Sequence, residues 1–280
     1  MLLNFRVTFV FIYLLRLNLN LQQKMNARIL VLVLIFLVFP KQEIYSQLGF
    51  SHEVGVIVGP SALYSDFGER NSAENNIGNT GIGIGLIHYI NFAYRADCNC
   101  YTRDKYWNDH FKIRTELALH KVNLKHGGRW VADDQQGQAA DFLRSMSGKA
   151  TNFEIGSQLE FFPFSIRDFS ARKGSLAPFL SAGIHFVGYD PEVTYNNDGD
   201  YYGGKYDPAT AINQEGGNTW AAVFSAGIRY KLSTSSDLML DSRLQYYFSN
   251  WVDGLNPDVP ENLANEWIYW LNFGYIYYIN

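Results

Sequence analysis

Eight segments of about ten residues, between Gly49 and the C-terminus, alternate apolar with polar side chains. In the segment from Leu238 to Ser249, leucine and aromatic residues fall on one face, whereas Asp241, Arg243 and Gln245 fall on the other. A period of two residues is typical of a β-strand with one apolar face. Ten residues are also enough for a tilted strand to cross a bilayer. The pattern therefore predicts strands that cross a membrane.

These segments predict an all-β fold. An even number of antiparallel strands can close, and closure is required in lipid because an open edge would leave unpaired backbone groups in hydrocarbon. We therefore expect an eight-stranded antiparallel transmembrane β-barrel with up-and-down topology. The predicted strands are 49–60, 82–94, 109–122, 149–162, 176–189, 219–232, 236–249 and 266–279.

The composition supports a membrane barrel over other classes of protein. The chain contains 20 Phe, 19 Tyr and 24 Gly in 280 residues, and an excess of aromatic residues and glycine suits a sheet that faces lipid. After residue 39 no window approaches 18 consecutive apolar residues, which argues against a helical membrane protein. A formal net charge of −4 argues against a nucleic-acid partner.

The N-terminal region has the features of an export signal. Lys24 and Arg28 precede an apolar run from Ile29 to Phe39, and Ser46 is a small residue at a plausible cleavage point. We therefore assign residues 1–46 to a signal peptide with an upstream extension, since translation could start at Met1 or at Met25. Residues 47–280 are assigned to the barrel.

The loops between the predicted strands fall into two groups. Loops 61–81, 123–148, 190–218 and 250–265 are long, and loops 95–108, 163–175 and 233–235 are shorter. Because outer-membrane barrels have short periplasmic turns and long extracellular loops, we expect both termini in the periplasm of a Gram-negative bacterium.

Two of the predicted periplasmic loops are longer than a tight turn requires. They carry charged and aromatic residues that could contact a periplasmic partner, although long loops are also tolerated at low entropic cost. The candidate contact residues are Arg95, Asp97, Tyr101, Arg103, Arg167, Asp168, Phe169 and Arg172.

The polar faces of the strands carry both acids and bases. The interior of an eight-stranded barrel is just wide enough for side chains, so we expect these groups to pair across the lumen and fill it. A gated polar path is the alternative. The predicted charge network comprises Glu53, Lys112, Arg114, Glu116, Glu154, Glu160, Arg229, Lys231, Asp241 and Arg243.

The sequence contains few signals for catalysis or ligand binding. No nucleophile elbow, HExxH motif or phosphate loop is present, so we expect no enzyme and no cofactor. Acidic stretches at 196–200 and 253–258 offer oxygen ligands but match no complete calcium loop, and their residues are also common in turns. Cys98 and Cys100 could form a local disulfide or remain thiols, and two cysteines are too few for a structural zinc site.

Several short motifs lie along the predicted strands and at their ends. They are Glu53-Val54-Gly55, Gly59-Pro60-Ser61, Tyr64-Ser65-Asp66-Phe67-Gly68, Leu159-Glu160-Phe161-Phe162-Pro163-Phe164, the segments 176–183 and 225–232, and Trp251-Val252-Asp253-Gly254. With these motifs the chain resembles the PorG-like outer-membrane barrels of the Bacteroidota type IX secretion system. The resemblance covers nearly the whole mature chain, with the loop Cys98–Tyr101 as a departure.

That resemblance implies a role without catalysis, in which the barrel anchors a periplasmic ring of lipoprotein and associated subunits to the outer membrane. Two alternatives stay open: an adhesion or surface-structural barrel that binds ligands through its extracellular loops, and a narrow channel. Each alternative requires its working residues at a different part of the barrel, so the structure bears on the choice.

Overall fold

Eight antiparallel strands form one closed barrel in the structure, a computed structural model that describes residues 50–70, 72–94, 106–196, 206, 210–259 and 264–279. Each strand pairs with the next, and β8 pairs with β1, which confirms the predicted fold class. The predicted signal peptide lies outside the described residues. The strands are β1 (Phe50–Tyr64), β2 (Thr80–Tyr94), β3 (Phe111–Lys125), β4 (Ser147–Phe161), β5 (Leu176–Thr194), β6 (Gly217–Lys231), β7 (Ser236–Tyr247) and β8 (Trp267–Ile279).

Six strands extend two to five residues beyond their predicted bounds, all at the end of the barrel that carries the long connections. β1 continues to Tyr64, β3 to Lys125 and β5 to Thr194, while β2, β4 and β6 each begin two residues earlier than predicted. The sequence 190–194 suggests a turn because it contains Asp190 and Pro191. At residues 190–194 β5 still pairs with β4, while its described pairing with β6 has ended at Tyr189. Because the strand is paired on one side only, a proline, which has no backbone N–H, is tolerated there.

Short helices, none of them predicted, lie in the connections. They are α1 (Ala73–Gly78), α2 (Tyr106–His110), α3 (Gln138–Ser145) and α4 (Ile166–Ala171), with a 3₁₀ turn at Arg129–Val131. The side chains of Ser72 and Ser165 accept hydrogen bonds from backbone N–H groups in the first turns of α1 and α4. Serine followed three residues later by an acidic residue, as in Ser165 and Asp168, was the local signal for α4.

The two ends of the barrel differ. We call the end with connections 65–79, 126–146, 195–216 and 248–266 the long-loop end, and the opposite one the short-loop end. A cap cluster of buried apolar side chains lies at the long-loop end and includes Leu63, Phe67, Phe142, Val252 and Leu255. A floor cluster lies inside the barrel and at the short-loop end, and it includes Ile57, Phe162, Ile166, Phe169 and Trp270. Charged residues occupy the space between.

Candidate functional site

The outer face of the barrel is an apolar belt. Large apolar side chains point outward from all eight strands, with exposed fractions of 59% at Ile82, 58% at Leu180 and 56% at Phe273. A closed barrel with an apolar exterior is the form in which strands cross a membrane, because every backbone group is paired and no edge meets lipid. Barrels of this kind belong to the outer membrane of Gram-negative bacteria, which is where this chain is located.

Among the described residues, no helix combines the length and the apolar character needed to cross a membrane.

The part of the lumen nearer the short-loop end is organised around Arg229. Its guanidinium donates to Glu53 Oε2 at 2.7 Å and to Glu160 Oε2 at 3.1 Å, and it lies 4.1 Å from the centroid of the Tyr89 ring. Glu53 also accepts a hydrogen bond from Lys112 Nζ. All of these side chains are buried, so each charge meets an opposite charge instead of water.

A second group of ion pairs fills the middle of the lumen. Arg243 makes a two-pronged contact with Glu116, at 2.6 and 2.9 Å, and also donates to Asp241 at 3.2 Å. Arg114 lies 3.0 Å from Asp241 and 2.8 Å from Glu116. The four residues come from β3 and β7, so the ion pairs span the lumen and connect opposite walls of the barrel.

The carboxylate of Glu154, nearest the cap cluster, has a different kind of partner. It lies 3.2 Å from His185 Nδ1 and 3.9 Å from His120 Nε2, and it accepts hydrogen bonds from Gln245 at 2.7 Å and the Tyr247 hydroxyl at 2.9 Å. Neither a lysine nor an arginine is paired with Glu154 in the described part of the lumen. Glu154 is therefore held by imidazole, amide and hydroxyl groups instead of a lysine or an arginine.

Sequence reasoning placed ten charged residues in the lumen, and the structure adds others. Asp237 pairs with Lys231 at 3.1 Å and accepts a hydrogen bond from the Tyr278 hydroxyl at 2.7 Å. Tyr89 donates to Glu160 at 3.1 Å. Asp237 could have been found because it lies four residues before Asp241 and therefore shares its face of the strand. The buried tyrosines could not have been found from the sequence, because a tyrosine is compatible with either the lumen face or the lipid face of a strand.

Together the network and the two apolar clusters fill the barrel. Ion pairs occupy the middle, and the cap cluster draws side chains both from the barrel wall and from the long connections. Breaking one of these buried pairs would leave an uncompensated charge, which costs far more than breaking a pair at the surface. This arrangement suits a rigid plug.

Three buried carboxylates meet at the long-loop end. Asp66 follows β1, Asp253 lies in the connection between β7 and β8, and Glu266 immediately precedes β8. One carboxylate oxygen of each lies within 4.8 Å of the others. Arg70 forms an ion pair with Asp66, and Asp253 accepts backbone hydrogen bonds from Asp66 at 2.7 Å and Leu255 at 2.9 Å.

Burial and mutual repulsion alter the acidity of these three groups. Burial, together with the charge of Asp253, raises the pKa of Asp66 to about 8, although Arg70 acts in the opposite direction. Burial raises the pKa of Asp253 to about 6, and burial followed by repulsion from Asp253 and Asp66 raises the pKa of Glu266 well above its usual value. The group therefore favours partial neutralisation, by protons or by a cation.

A histidine is buried in the same end of the barrel. The ring of His126 lies between the rings of Phe67 and Tyr206, with centroid distances of 5.2 and 6.1 Å. Its Nε2 atom has no hydrogen-bond partner among the described residues. Burial lowers the pKa of His126 to about 3, so the ring is neutral at physiological pH.

The short-loop end carries a platform made of α2 and α4. The backbone N–H of Arg167 donates to Asp109 at 3.0 Å, and His110 Nδ1 lies 2.6 Å from the carbonyl oxygen of Phe162. Arg167, Asp168 and Arg172 are exposed there, as are the aromatic rings of Tyr106 and Phe164. The platform is thus fixed to the barrel and presents charged and aromatic groups.

The proposed contact residues do not all lie on this surface. Phe169 differs from our expectation, since it is 4% exposed and packs into the floor cluster, where Lys231 Nζ lies 5.6 Å from its ring centroid. A phenylalanine on the inner face of a short amphipathic helix is more stable against the barrel than in water. Arg95, Asp97, Tyr101 and Arg103 lie outside the described residues, as do Cys98 and Cys100.

A small polar patch interrupts the apolar belt. His52 and His88 are stacked, with ring nitrogens 3.1 Å apart, and His88 Nδ1 lies 3.2 Å from the hydroxyl of Thr115. This patch adjoins a groove of about 520 Å³ on the outer wall. In the described strands neither histidine has a hydrogen-bonded carboxylate, and the Thr115 hydroxyl donates to the carbonyl of His88 at 3.3 Å. The patch therefore lacks the carboxylate that orients the catalytic base in many hydrolases.

Comparisons with solved structures return outer-membrane proteins. Neisserial surface protein A matches with a TM-score of 0.41 and 10% identity, over 81% of this chain and 96% of that one. OprG of Pseudomonas aeruginosa matches with a TM-score of 0.38 and 12% identity, over 81% and 97%. Ail of Yersinia pestis, in complex with a heparin analogue, matches with a TM-score of 0.36 and 10% identity, over 82% and 99%. No protein-family model matches the sequence, and no curated protein matches it significantly.

Proposed function

We propose that this barrel is a non-catalytic anchor in the outer membrane, which holds the periplasmic ring of a type IX protein secretion apparatus. The observation that carries the proposal is the platform of α2 and α4 at the short-loop end. The filled lumen supports it indirectly, since a plugged barrel is suited to holding a partner and not to passing a substrate. The motif resemblance to PorG-like barrels supplies the identity of the partner.

The platform has the construction expected of a binding surface. Ile166 and Phe169 fix α4 to the floor cluster. Binding of a partner therefore loses no conformational entropy in ordering this helix. Phe164 is 64% exposed and Tyr106 is 63% exposed, beside the charged side chains of Arg167 and Arg172. Aromatic residues and arginine are the types that contribute most to protein interfaces. The proposal places the short-loop end in the periplasm.

A pair of charge reversals tests the anchor. Arg167→Glu combined with Arg172→Glu should leave the barrel inserted and heat-modifiable on gels, because both side chains are exposed outside the strands. We expect loss of co-purifying periplasmic ring subunits and reduced export of type IX cargo. The matched control is Arg129→Glu combined with Lys149→Glu, which makes the same change of charge at the long-loop end and should leave export intact.

A surface-adhesion barrel is the second candidate. The observation in its favour is that the described part of the long-loop end exposes Ile77 at 74% and Trp130 at 43%. The same pair of double variants separates the two candidates. If the Arg129/Lys149 variant loses adhesion to host or abiotic surfaces, while the Arg167/Arg172 variant exports cargo normally, the anchor proposal is wrong and the working surface faces outward.

A further inference from the structure

The three carboxylates at the long-loop end have the geometry of a cation site. Asp66 and Asp253 come from different connections, and Glu266 is the residue at which the second connection enters β8. All three side chains are fully buried, with one oxygen of each within 4.8 Å of the other two. Oxygens that bind one Ca²⁺ at about 2.3 to 2.6 Å lie up to roughly 5 Å apart, whereas Mg²⁺ draws them closer.

The charges of the described residues do not balance at this position. Arg70 is the cation paired with Asp66, and its other terminal nitrogen donates to the carbonyl oxygen of Asn265 at 2.6 Å. Asp253 is held by two backbone N–H groups, which carry no net charge. Among the described side chains, one arginine thus lies beside three carboxylates. These described charges sum to two negative charges when all three carboxylates are ionised.

Glu266 provides an independent sign that this position binds a ligand. Neither of its carboxylate oxygens has a hydrogen-bond partner among the described residues, although the side chain is 0% exposed and points at the two aspartates. A buried carboxylate without a donor is strongly unfavourable unless a proton or a cation neutralises it. By contrast, every carboxylate of the lumen network has a described cation or hydrogen-bond donor within reach.

We propose that Asp66, Asp253 and Glu266 bind a calcium ion, which fastens the first and last long connections over the cap cluster. Hard carboxylate oxygens favour calcium over softer transition metals, and a site of three carboxylates suits calcium better than magnesium, which usually keeps several of its waters. Phe67, adjacent to Asp66, and Val252 and Leu255, on either side of Asp253, all belong to the cap cluster. The ion would therefore hold the apolar cap in place at the long-loop end.

Calcium titration of the full chain, purified in detergent and treated with EDTA, tests the site. We expect one Ca²⁺ per barrel by calorimetry and weaker binding of Mg²⁺. Terbium should bind with sensitised luminescence, since Trp251 lies two residues from Asp253. At about a hundredfold excess over the dissociation constant, Ca²⁺ should raise the temperature of the heat-induced gel shift by roughly 5 to 10 °C.

Two variants locate the ion. Glu266→Gln keeps the size of the side chain but removes its charge, and it should weaken calcium binding by at least about tenfold. Asp258→Asn is the matched control, because Asp258 lies in the same connection and is exposed. It should bind calcium as the unmodified chain does.

Three results would overturn the proposal. The first is no binding up to about 10 mM Ca²⁺, well above the millimolar range of weak extracellular sites. The second is equal loss of binding in the Glu266 and Asp258 variants, which would indicate diffuse attraction to surface acids. The third is normal binding by folded Glu266→Gln barrels. In any of these cases the carboxylates are neutralised by shared protons.

Discussion

Buried and exposed ion pairs in this barrel differ in what they contribute to stability. Arg229 contacts Glu53 and Glu160 in the lumen, where all three side chains are 0% exposed. Lys149 and Glu192 pair at 2.9 Å, but their side chains are 35% and 65% exposed. Water solvates Lys149 and Glu192 well, so breaking their ion pair costs little stability. In the lumen no water can replace the contacts that Arg229 makes with the two glutamates.

Replacing Arg229 with alanine should therefore destabilise the barrel by about 3 to 5 kcal/mol, because Glu53 and Glu160 lose a shared cation. Lys149→Ala should cost less than about 1 kcal/mol. Urea-induced unfolding in detergent micelles, followed by tryptophan fluorescence, measures both. Equal effects of the two variants would mean that the lumen is hydrated and that its charges are screened.

On the outer wall, in contrast to the lumen, adding a charged side chain should destabilise the barrel, because this wall faces lipid. Leu240 points outward from β7 and is 39% exposed, in a row of apolar side chains. Leu240→Arg should hinder assembly, at a cost of roughly 2 to 4 kcal/mol if it lies near the middle of the bilayer, whereas Leu240→Ala should be milder. The folded fraction recovered from outer membranes reports the difference, and normal assembly of the arginine variant would place Leu240 away from lipid.

At the scale of elements, we expect the cap over the long-loop end to be sensitive to pH through His126. Unfolded chain binds a proton at this residue below about pH 6.5, while the buried ring stays neutral down to about pH 3. Between these values the unfolded state holds more protons, so the stability supplied by His126 falls as pH is lowered.

His126→Phe should remove that dependence, since phenylalanine can pack between the same two rings without titrating. The raised pKa of Asp66 acts in the opposite sense, because its protonated form is favoured in the folded chain as pH falls from about 8. The informative measurement is therefore the change in denaturation midpoint between pH 7 and pH 5, compared between the unmodified chain and His126→Phe. If the denaturation midpoints of the two proteins change equally with pH, His126 is hydrated and not buried as described.

The sequence predicts the strands well but not what the connections build. A period of two residues identified all eight strands, because each wall position must face either lipid or lumen. The short helices depend on caps and on contacts distant in sequence, such as Arg167 with Asp109. Asp66 and Glu266 are some two hundred residues apart, and closure of the barrel by β1 and β8 is what brings them together. No local pattern contains that information.

At the scale of the whole molecule, three layers close the barrel in different ways. The cap cluster excludes water by apolar packing, the ion pairs of the middle fill the lumen with charged side chains, and α4 closes the opposite end with Ile166 and Phe169. A solute that crossed would have to disrupt all three layers. Their redundancy implies that removing one layer alone does not open a pore.

Planar-bilayer recordings test this directly. The unmodified barrel should show no stable open channel of porin size, because eight strands leave an interior just wide enough for side chains and these are paired. Glu116→Ala combined with Arg243→Ala removes one cross-lumen pair without leaving net charge, and it too should stay closed, since the cap and floor clusters remain. Steady conductance in the unmodified protein would support the channel alternative. Conductance confined to the double variant would show that the ion pairs, and not the apolar layers, keep the barrel shut.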